Sequence, residues 1–206
     1  MIRNIVFDMG QVLLPFDGAE HAARYTENAA DAALLYREVF CSIEWLQLDR
    51  GSITEAEAAC AMCARLPGRL HPNVHTVFER WHKDSACNEG MSRLAGELGD
   101  AGYGLYLLSN TCQRFHEFRT VMPILDRFDG ILISSDVLLC KPDPAIYRLL
   151  YKRFSLDPAE CFFVDDSRMN IEAALFTGMR GFAFEGDVGA LRRALVREGV
   201  SVGTGD

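Results

Sequence analysis

Hydrophobic residues gather into five short runs along the chain, each bounded by glycine, aspartate, serine or asparagine. The runs cover residues 5–7, 105–108, 131–133, 161–164 and 181–184. Continuous apolar runs of this length are typical of strands that are buried on both faces of a parallel sheet. Apolar residues at helical spacing separate the later runs, at residues 91–101, 144–154, 171–176 and 188–196. Strands that alternate with helices predict an α/β fold with a doubly wound parallel sheet.

Residues 17–88 break this alternation, because one helical pattern there follows another. The patterns cover residues 19–40, 55–65 and 75–83, and turns at 49–54 and 66–72 separate them, with Ser52 or Thr54 as candidate N-caps. We therefore predict a helical cap at residues 17–88, inserted into a core domain of residues 1–16 and 89–206. Ligands of open α/β sheets bind beyond the carboxyl ends of the strands, so such a cap would lie over the site.

Several strands are followed by polar residues that a purely structural core does not need. If the sheet is parallel, its strand ends meet at one edge and bring these residues together. They are Asp8 after the first run, Ser109 and Asn110 after the second, Lys141 a short loop after the third, and Asp165 and Asp166 after the fourth.

This set of residues suits phosphoryl chemistry. Three neighbouring carboxylates repel one another and need a cation, and oxygen ligands without Cys or His favour Mg²⁺. One carboxylate can attack phosphorus, while the metal and Lys141 hold the phosphoryl oxygens. Each residue alone is more often a turn or a helix cap. Their coincidence at successive strand ends favours the functional interpretation.

Composition narrows the possible partners. The net charge of −8 argues against a nucleic-acid-binding protein but is compatible with a small phosphorylated metabolite. Seven scattered cysteines in a chain with a large apolar fraction predict a reducing, cytoplasmic setting. No apolar run approaches membrane-spanning length and no signal-peptide pattern opens the chain, so we expect no membrane partner. A monomer and a small homo-oligomer both remain open.

Four segments, in order, resemble the motifs of the haloacid dehalogenase-like (HAD) hydrolase superfamily. They are "FDMGQV", "LLSNT", Lys141 in "CKPDPAIY", and "FVDDSRMNIEAA". The resemblance runs from residue 3 to about residue 184 and implies a Rossmann-like core with a C1 cap. Within the superfamily, "FDMGQVLLPFD" together with "LDRGSIT" resembles the bacterial phosphatases that act on α-D-glucose 1-phosphate. A hexose 1-phosphate is therefore the implied substrate.

The resemblance assigns a nucleophile and a magnesium site. Asp8 is the implied nucleophile, which forms an aspartyl-phosphate. Asp8 is also an implied Mg²⁺ ligand, with the backbone carbonyl of Gly10 and the carboxylate of Asp166. Asp165 is implied to support the metal without binding it directly, either by contacting the metal ligands or through a water molecule.

It also assigns phosphoryl-binding residues. Ser109 and the backbone amide of Asn110 are implied to bind phosphoryl oxygens, and Lys141 to neutralise charge on the nucleophile and the phosphoryl group. Asn170 is implied to order the fourth loop. Substrate specificity is expected from Gln11 and from the cap, where the candidates are Glu44, Trp45, Asp49 and Arg50.

Gly10 departs from the pattern of most phosphatases of the superfamily, which carry there a second Asp that acts as general acid and base. Three explanations stay open: a substrate whose leaving group needs little protonation, substitution by another group from the lid or by Asp17, or a protein that binds phosphorylated ligands but turns them over poorly. Metal-free dehalogenases of 2-haloacids also lack this Asp. The acidic pair Asp165–Asp166 argues against that chemistry, because a metal-free site has no need of it.

Overall fold

A single parallel sheet organises the fold. The computed structural model describes residues 1–83 and 85–203. Within them, the sheet has five strands in the order β3-β2-β1-β4-β5, all parallel. The strands are β1 (Asn4–Phe7), β2 (Gly104–Ser109), β3 (Gly130–Ile133), β4 (Cys161–Asp165) and β5 (Arg180–Ala183). The predicted doubly wound parallel sheet is confirmed.

Helices of very different length connect and cover these strands. The α-helices in the described residues are α1 (Gly18–Arg24), α2 (Ala29–Leu35), α3 (Ile43–Arg50), α4 (Glu55–Arg65), α5 (His71–Arg80), α6 (Glu89–Asp100), α7 (Phe115–Phe118), α8 (Ser134–Val137), α9 (Pro144–Phe154), α10 (Arg168–Phe176) and α11 (Val188–Arg197). Short 3₁₀ turns lie at Gly68–Leu70, Arg119–Val121, Pro123–Arg127 and Pro158–Glu160, and a π-helical turn at Tyr36–Phe40.

The strands are buried on both faces. In β1, Ile5 and Phe7 belong to one apolar cluster and Val6 to another, because successive side chains of a strand point to opposite faces. The first cluster is covered by α6, α11 and helices of residues 17–88, and the second by α9 and α10. This double burial explains why the strands read as continuous apolar runs.

The predicted helix over residues 19–40 is wrong as one element. Asn28 interrupts it, because its side chain accepts a hydrogen bond from the Asp31 amide (3.0 Å) and so begins α2 as a new helix. The helix predicted at residues 75–83 begins earlier, at His71, with Pro72 in its first turn, where a missing N–H costs nothing. Helix α3 was not predicted.

Local capping follows the sequence closely. Thr54, rather than Ser52, caps α4 in a capping box with Glu57, and Asp143 caps α9, with its carboxylate accepting from the Ala145 amide (2.9 Å). Between α3 and α4, Gly51 has a positive φ of 78° and ends α3 in the left-handed conformation that glycine adopts without strain.

Helices α1 to α5 lie within residues 17–88, where the sequence predicted a cap. Their apolar side chains, such as Val74 and Met62, join the same cluster that covers one face of the sheet. The division into a core of residues 1–16 and 89–206 and a cap of residues 17–88 stays a prediction. Among the described residues, no helix has the length and apolar character needed to span a membrane.

Candidate active site

A buried ion-pair triad lies at the carboxyl ends of β1 and β4. The Lys141 Nζ atom lies 2.7 Å from Asp8 Oδ1 and 2.6 Å from Asp165 Oδ2. Asp8, Lys141 and Asp165 are all buried, with Asp165 fully excluded from solvent. Two carboxylates around one ammonium leave a net negative charge, so the site keeps an electrostatic demand for a further cation.

Both oxygens of Asp165 are held by donors from its own loop as well as by Lys141. Its Oδ1 accepts from the Ser167 amide (2.8 Å), and the Asn170 side-chain amide donates to Oδ1 (3.0 Å) and Oδ2 (3.1 Å). Asn170 thus orders the fourth loop through Asp165. These bonds fix the Asp165 carboxylate as an anchor for Lys141.

The loop that carries Lys141 is fastened to the end of β2. The Asn110 side chain accepts from the Lys141 amide (2.8 Å) and donates to the Lys141 carbonyl (2.9 Å). Its neighbour Ser109 is buried at the end of β2, with Oγ 3.5 Å from the Asn110 carbonyl oxygen. The sequence offered the backbone amide of Asn110 as a ligand contact but did not foresee this role of its side chain.

Three carboxylates converge at this edge. Asp8, Asp165 and Asp166 each offer an oxygen, and these oxygens lie within 4.8 Å of one another. A set of carboxylate oxygens without nitrogen or sulfur ligands suits a hard cation such as Mg²⁺. Asp166 is exposed, unlike the other two, and thus keeps oxygens accessible to an ion. The residues present therefore fit a magnesium site.

Burial and repulsion shape the charges. Burial is the main cause that raises the pKa of Asp8 well above its usual range, and the Lys141 ammonium opposes this shift without cancelling it. Burial and the neighbouring Asp165 also raise the pKa of Asp166. Burial opposes the charged form of Lys141, but the attraction of Asp8 and Asp165 prevails and raises its pKa. In the triad, the two carboxylates therefore stabilise the positive charge of Lys141.

Asp8 lines a small cavity of about 100 Å³. The other polar residues that line it are Asp49, Asn110 and Thr111, together with Gly10, and the apolar ones are Met9, Leu14, Phe16, Trp45 and Trp81. Larger grooves of about 710 and 580 Å³ lie beside α4, but Asp8 lines neither of them, so size alone does not locate the chemistry. The smaller cavity is lined by Asp8 and Asn110, which directly follow β1 and β2, and so lies at the carboxyl edge of the sheet.

The predicted specificity residues divide into two groups. Trp45 lines the cavity, and its ring packs against Phe16 with centroids 6.0 Å apart. Gln11 is exposed, and its side chain donates to the Phe16 carbonyl (2.5 Å), while Arg50 is exposed and donates to the Leu138 carbonyl (3.1 Å). Neither Gln11 nor Arg50 lines this cavity, and their contact with substrate stays a prediction.

The acidic candidates Glu44, Asp17 and Asp49 also differ in their surroundings. Glu44 makes a two-pronged ion pair with Arg65 (2.8 and 2.7 Å), which lowers the pKa of Glu44 to about 2. Asp17 is exposed and caps α1 by accepting from the Ala19 amide (2.8 Å). Asp49 faces the cavity instead. Burial, and to a smaller extent the charge of Asp8, raise the pKa of Asp49 to about 7.

Asp49 is expected to make the metal-free protein less stable as the pH rises. Its folded pKa of about 7 lies above the ordinary value of 3.8, so the contribution of the neutral carboxyl is present below about pH 4 and is lost as the pH rises through about 7. Thermal unfolding of wild type and Asp49→Asn, both with chelator, checks this. The unfolding temperature of Asp49→Asn should rise relative to that of wild type between about pH 4 and about pH 8. A difference in unfolding temperature that does not change with pH would contradict the expectation.

Several known proteins are similar to this chain in sequence, and a family model matches most of it. The family model for haloacid dehalogenase-like hydrolase matches residues 2–176. The chain is 27% identical over 182 residues to the sesquiterpene phosphatase astK of Aspergillus oryzae, covering 87% of this chain and 88% of that protein. It is 34% identical over 158 residues to flavin mononucleotide hydrolase 1 of Arabidopsis thaliana, covering 77% of this chain and 63% of that protein. In eight of the curated relatives, the share of the relative's length that this chain spans ranges from 17% to 88%.

A solved structure shares the fold. The HAD family enzyme bt-2542 of Bacteroides thetaiotaomicron, in complex with magnesium and inorganic phosphate, matches with a TM-score of 0.71 at 21% identity. The match covers 90% of this chain and 96% of that chain.

Proposed function

The chain belongs to the haloacid dehalogenase-like hydrolase family, and from that premise we propose that it is a Mg²⁺-dependent phosphomonoester hydrolase. The observation that carries the proposal is the triad of Asp8, Lys141 and Asp165 beside Asp166, at the carboxyl edge of a parallel sheet. It gathers a nucleophile, a phosphoryl-binding cation and an all-oxygen metal site in one place. Phosphatases among the relatives support the same class of reaction.

Asp8 is the proposed nucleophile. Its Oδ1 atom pairs with Lys141, and the residue lines the cavity in which a phosphoryl group would sit. Attack of a carboxylate oxygen on phosphorus releases the alcohol and forms an aspartyl-phosphate, which water then hydrolyses. Lys141 stays charged in this buried place and balances the negative charge that gathers on the phosphoryl oxygens.

The metal site of the proposal comprises Asp8, Asp166 and the Gly10 carbonyl, with Asp165 behind them. A bound Mg²⁺ supplies positive charge to the phosphoryl oxygens and to the crowded carboxylates. Asp165, whose oxygens already accept from Ser167, Asn170 and Lys141, orients the lysine. Ser109 and the Asn110 amide are the proposed phosphoryl contacts at the end of β2.

The proposed substrate class is a small sugar phosphate such as a hexose 1-phosphate. An anomeric oxygen is a better leaving group than an ordinary alcohol, which suits a site without a carboxylate at position 10. The aromatic wall of Trp45, Trp81 and Phe16 offers flat surfaces to the apolar face of a ring. The cavity has about 100 Å³, which is less than the ~300–1,000 Å³ of pockets that bury larger ligands, so we expect its aromatic side chains to rearrange when such a substrate binds.

Two other functions compete with this proposal. A metal-free 2-haloacid dehalogenase would use Asp8 on carbon, and Gly10 is compatible with that chemistry. The converging carboxylates of Asp8, Asp165 and Asp166 favour the metal-dependent reaction, because the single ammonium of Lys141 does not balance three carboxylates. A phosphometabolite-binding protein without turnover is the second alternative, and it rests on Gly10 alone.

A phosphate-release screen tests the proposal. With Mg²⁺ we expect steady phosphate release from nitrophenyl phosphate and hexose 1-phosphates, and loss of that release to background when a chelator removes the metal. Activity on 2-haloacids that survives chelation would instead support the dehalogenase. Binding of phosphorylated sugars without release of phosphate would support the binding protein, and a preference for hexose 6-phosphates would contradict the leaving-group argument.

A further inference from the structure

Asp49 places a second carboxylate in the cavity that Asp8 lines. It is the last but one residue of α3 and lines the cavity, with Trp45 one turn before it on the same helix. Asp8, Gly10, Asn110 and Thr111 line the same cavity. A carboxyl group that shares a cavity with a nucleophile can exchange a proton with a leaving group bound there.

The backbone around Asp49 is fixed to the core. The Ser134 hydroxyl donates to the Asp49 carbonyl, and its oxygen accepts from the Thr111 amide (2.9 Å), which directly follows Asn110. At Gly51, a Cβ atom would lie 2.5 Å from the Ser135 carbonyl oxygen, so α3 ends in close contact with α8. Ser134 therefore links the Asp49 backbone to the segment of Asn110 and Thr111, although Asp49 and Ser134 lie more than 80 residues apart in sequence.

The Asp49 carboxylate is not engaged elsewhere. Within residues 1–83 and 85–203, it has no hydrogen bond or ion pair, unlike Glu44, which pairs with Arg65, and Asp17, which caps α1. A partly buried carboxylate without a partner is unfavourable for folding, so its place needs another explanation. Proton transfer with a ligand in the cavity provides one.

The cavity is open at the position where a side chain is missing. A Cβ built on Gly10 meets no atom within 4 Å. No neighbouring atom therefore occupies the place where a side chain at position 10 would begin. Gly10 and Asp49 line the same cavity.

We propose that Asp49 is the general acid and base of this phosphatase, a role taken over from the side chain that Gly10 lacks. The proposal rests on the function proposed above. In the first half-reaction, an Asp8 oxygen bonds to phosphorus while the bond from phosphorus to the leaving oxygen breaks, and the Asp49 proton moves to that oxygen to give the alcohol. In the second, the Asp49 carboxylate takes a proton from water, whose oxygen bonds to phosphorus. The bond between phosphorus and Asp8 then breaks, which releases inorganic phosphate and restores Asp8 as a carboxylate and Asp49 as an acid.

The electrostatic surroundings of Asp49 suit a general acid and base. Burial is the larger cause that raises the pKa of Asp49 to about 7, and burial persists whatever charge Asp8 carries. A group with a pKa near the working pH can both give and take a proton efficiently.

Two substrates with different leaving groups test the proposal, because nitrophenolate leaves without protonation and a sugar oxygen benefits from it. For Asp49→Asn we expect kcat/KM for hexose 1-phosphate to fall ~10²-fold or more, and for nitrophenyl phosphate less than ~10-fold. The value of kcat/KM reports only the phosphorylation step, in which Asp49 acts as an acid. The role of Asp49 as a base in hydrolysis of the aspartyl-phosphate therefore needs a separate measurement. The variant should release a burst of nitrophenol and accumulate phosphorylated Asp8, measured by mass spectrometry.

Matched variants separate this role from a structural one. Asp17→Asn should behave as wild type with both substrates, because asparagine also caps helices. In the Asp49→Asn background, Gly10→Asp should restore hexose 1-phosphate turnover, since the space at position 10 is open. An equal loss of kcat/KM for both substrates, or no loss, would overturn the role of Asp49. If wild type itself releases no phosphate from either substrate, the proposed function fails instead.

Discussion

Replacing Asp8 by Asn is expected to abolish phosphate release while the fold survives. Asparagine has the shape of aspartate but cannot form the aspartyl-phosphate, and removal of a covalent nucleophile costs at least ~10⁴-fold in kcat. Steady-state release with nitrophenyl phosphate and Mg²⁺ measures the loss. Incubation with substrate should give no phosphorylated protein by mass spectrometry.

The stability of the same variant distinguishes lost chemistry from lost structure. Because burial raises the pKa of Asp8, its ionised form is unfavourable in the metal-free protein. Asp8→Asn should therefore unfold at the same temperature as wild type or at a higher one. Asp17→Asn serves as the control with full activity. Activity that persists in a folded Asp8→Asn protein would show that another residue attacks phosphorus.

Replacing Lys141 by Met is expected to give the largest loss of stability. The change removes the ammonium that lies 2.7 Å from Asp8 and 2.6 Å from Asp165, and leaves two buried carboxylates without a cation. Loss of one partner from a buried ion pair typically costs ~3–5 kcal/mol. Denaturant unfolding in the absence of Mg²⁺ measures the change in the free energy of unfolding. Catalysis should fail as well, because the phosphoryl charge loses its buried cation.

Controls locate the cause of this effect. Lys152→Met removes an exposed lysine at the end of α9 and should cost less than ~1 kcal/mol. Asp8→Asn added to Lys141→Met removes one of the two stranded charges and should recover part of the stability, as expected for coupled sites. If Lys141→Met unfolds with the same free energy as Lys152→Met, the triad does not contribute to stability. If the single variant does not fold, recovery in the double variant remains measurable.

The fold followed from the sequence because its strands carry an unambiguous pattern. Buried parallel strands are apolar throughout, and β1 shows this with Ile5, Val6 and Phe7 shared between two clusters. The helix over residues 19–40 failed because periodicity runs through Asn28, where a side-chain cap starts a new helix. Helical periodicity alone cannot distinguish one long helix from two that share an apolar face.

The site was predictable as far as the strand ends supplied it. Asp8, Ser109 and Asp165 come together because parallel strands place their carboxyl ends at one edge. Gln11 and Arg50 were chosen from their neighbourhood in sequence, but both side chains donate to backbone carbonyls and neither residue lines the cavity. Phe16 and Thr111 lie within the quoted motifs but were not singled out, and Trp81 lies outside them, because packing of helices on the sheet decides which aromatic and small polar residues line a cavity.

The sequence by itself determined the α/β fold, the cluster of carboxylates with Lys141, and the missing side chain at Gly10, since all of these follow from short apolar runs and the residues that end them. The tertiary structure decided which other groups reach that cluster. The Asn110 side chain holds Lys141 from 31 residues away, and Ser134 holds Asp49 from 85 residues away. Such contacts depend on how helices dock on the sheet, and no local pattern of residues encodes them.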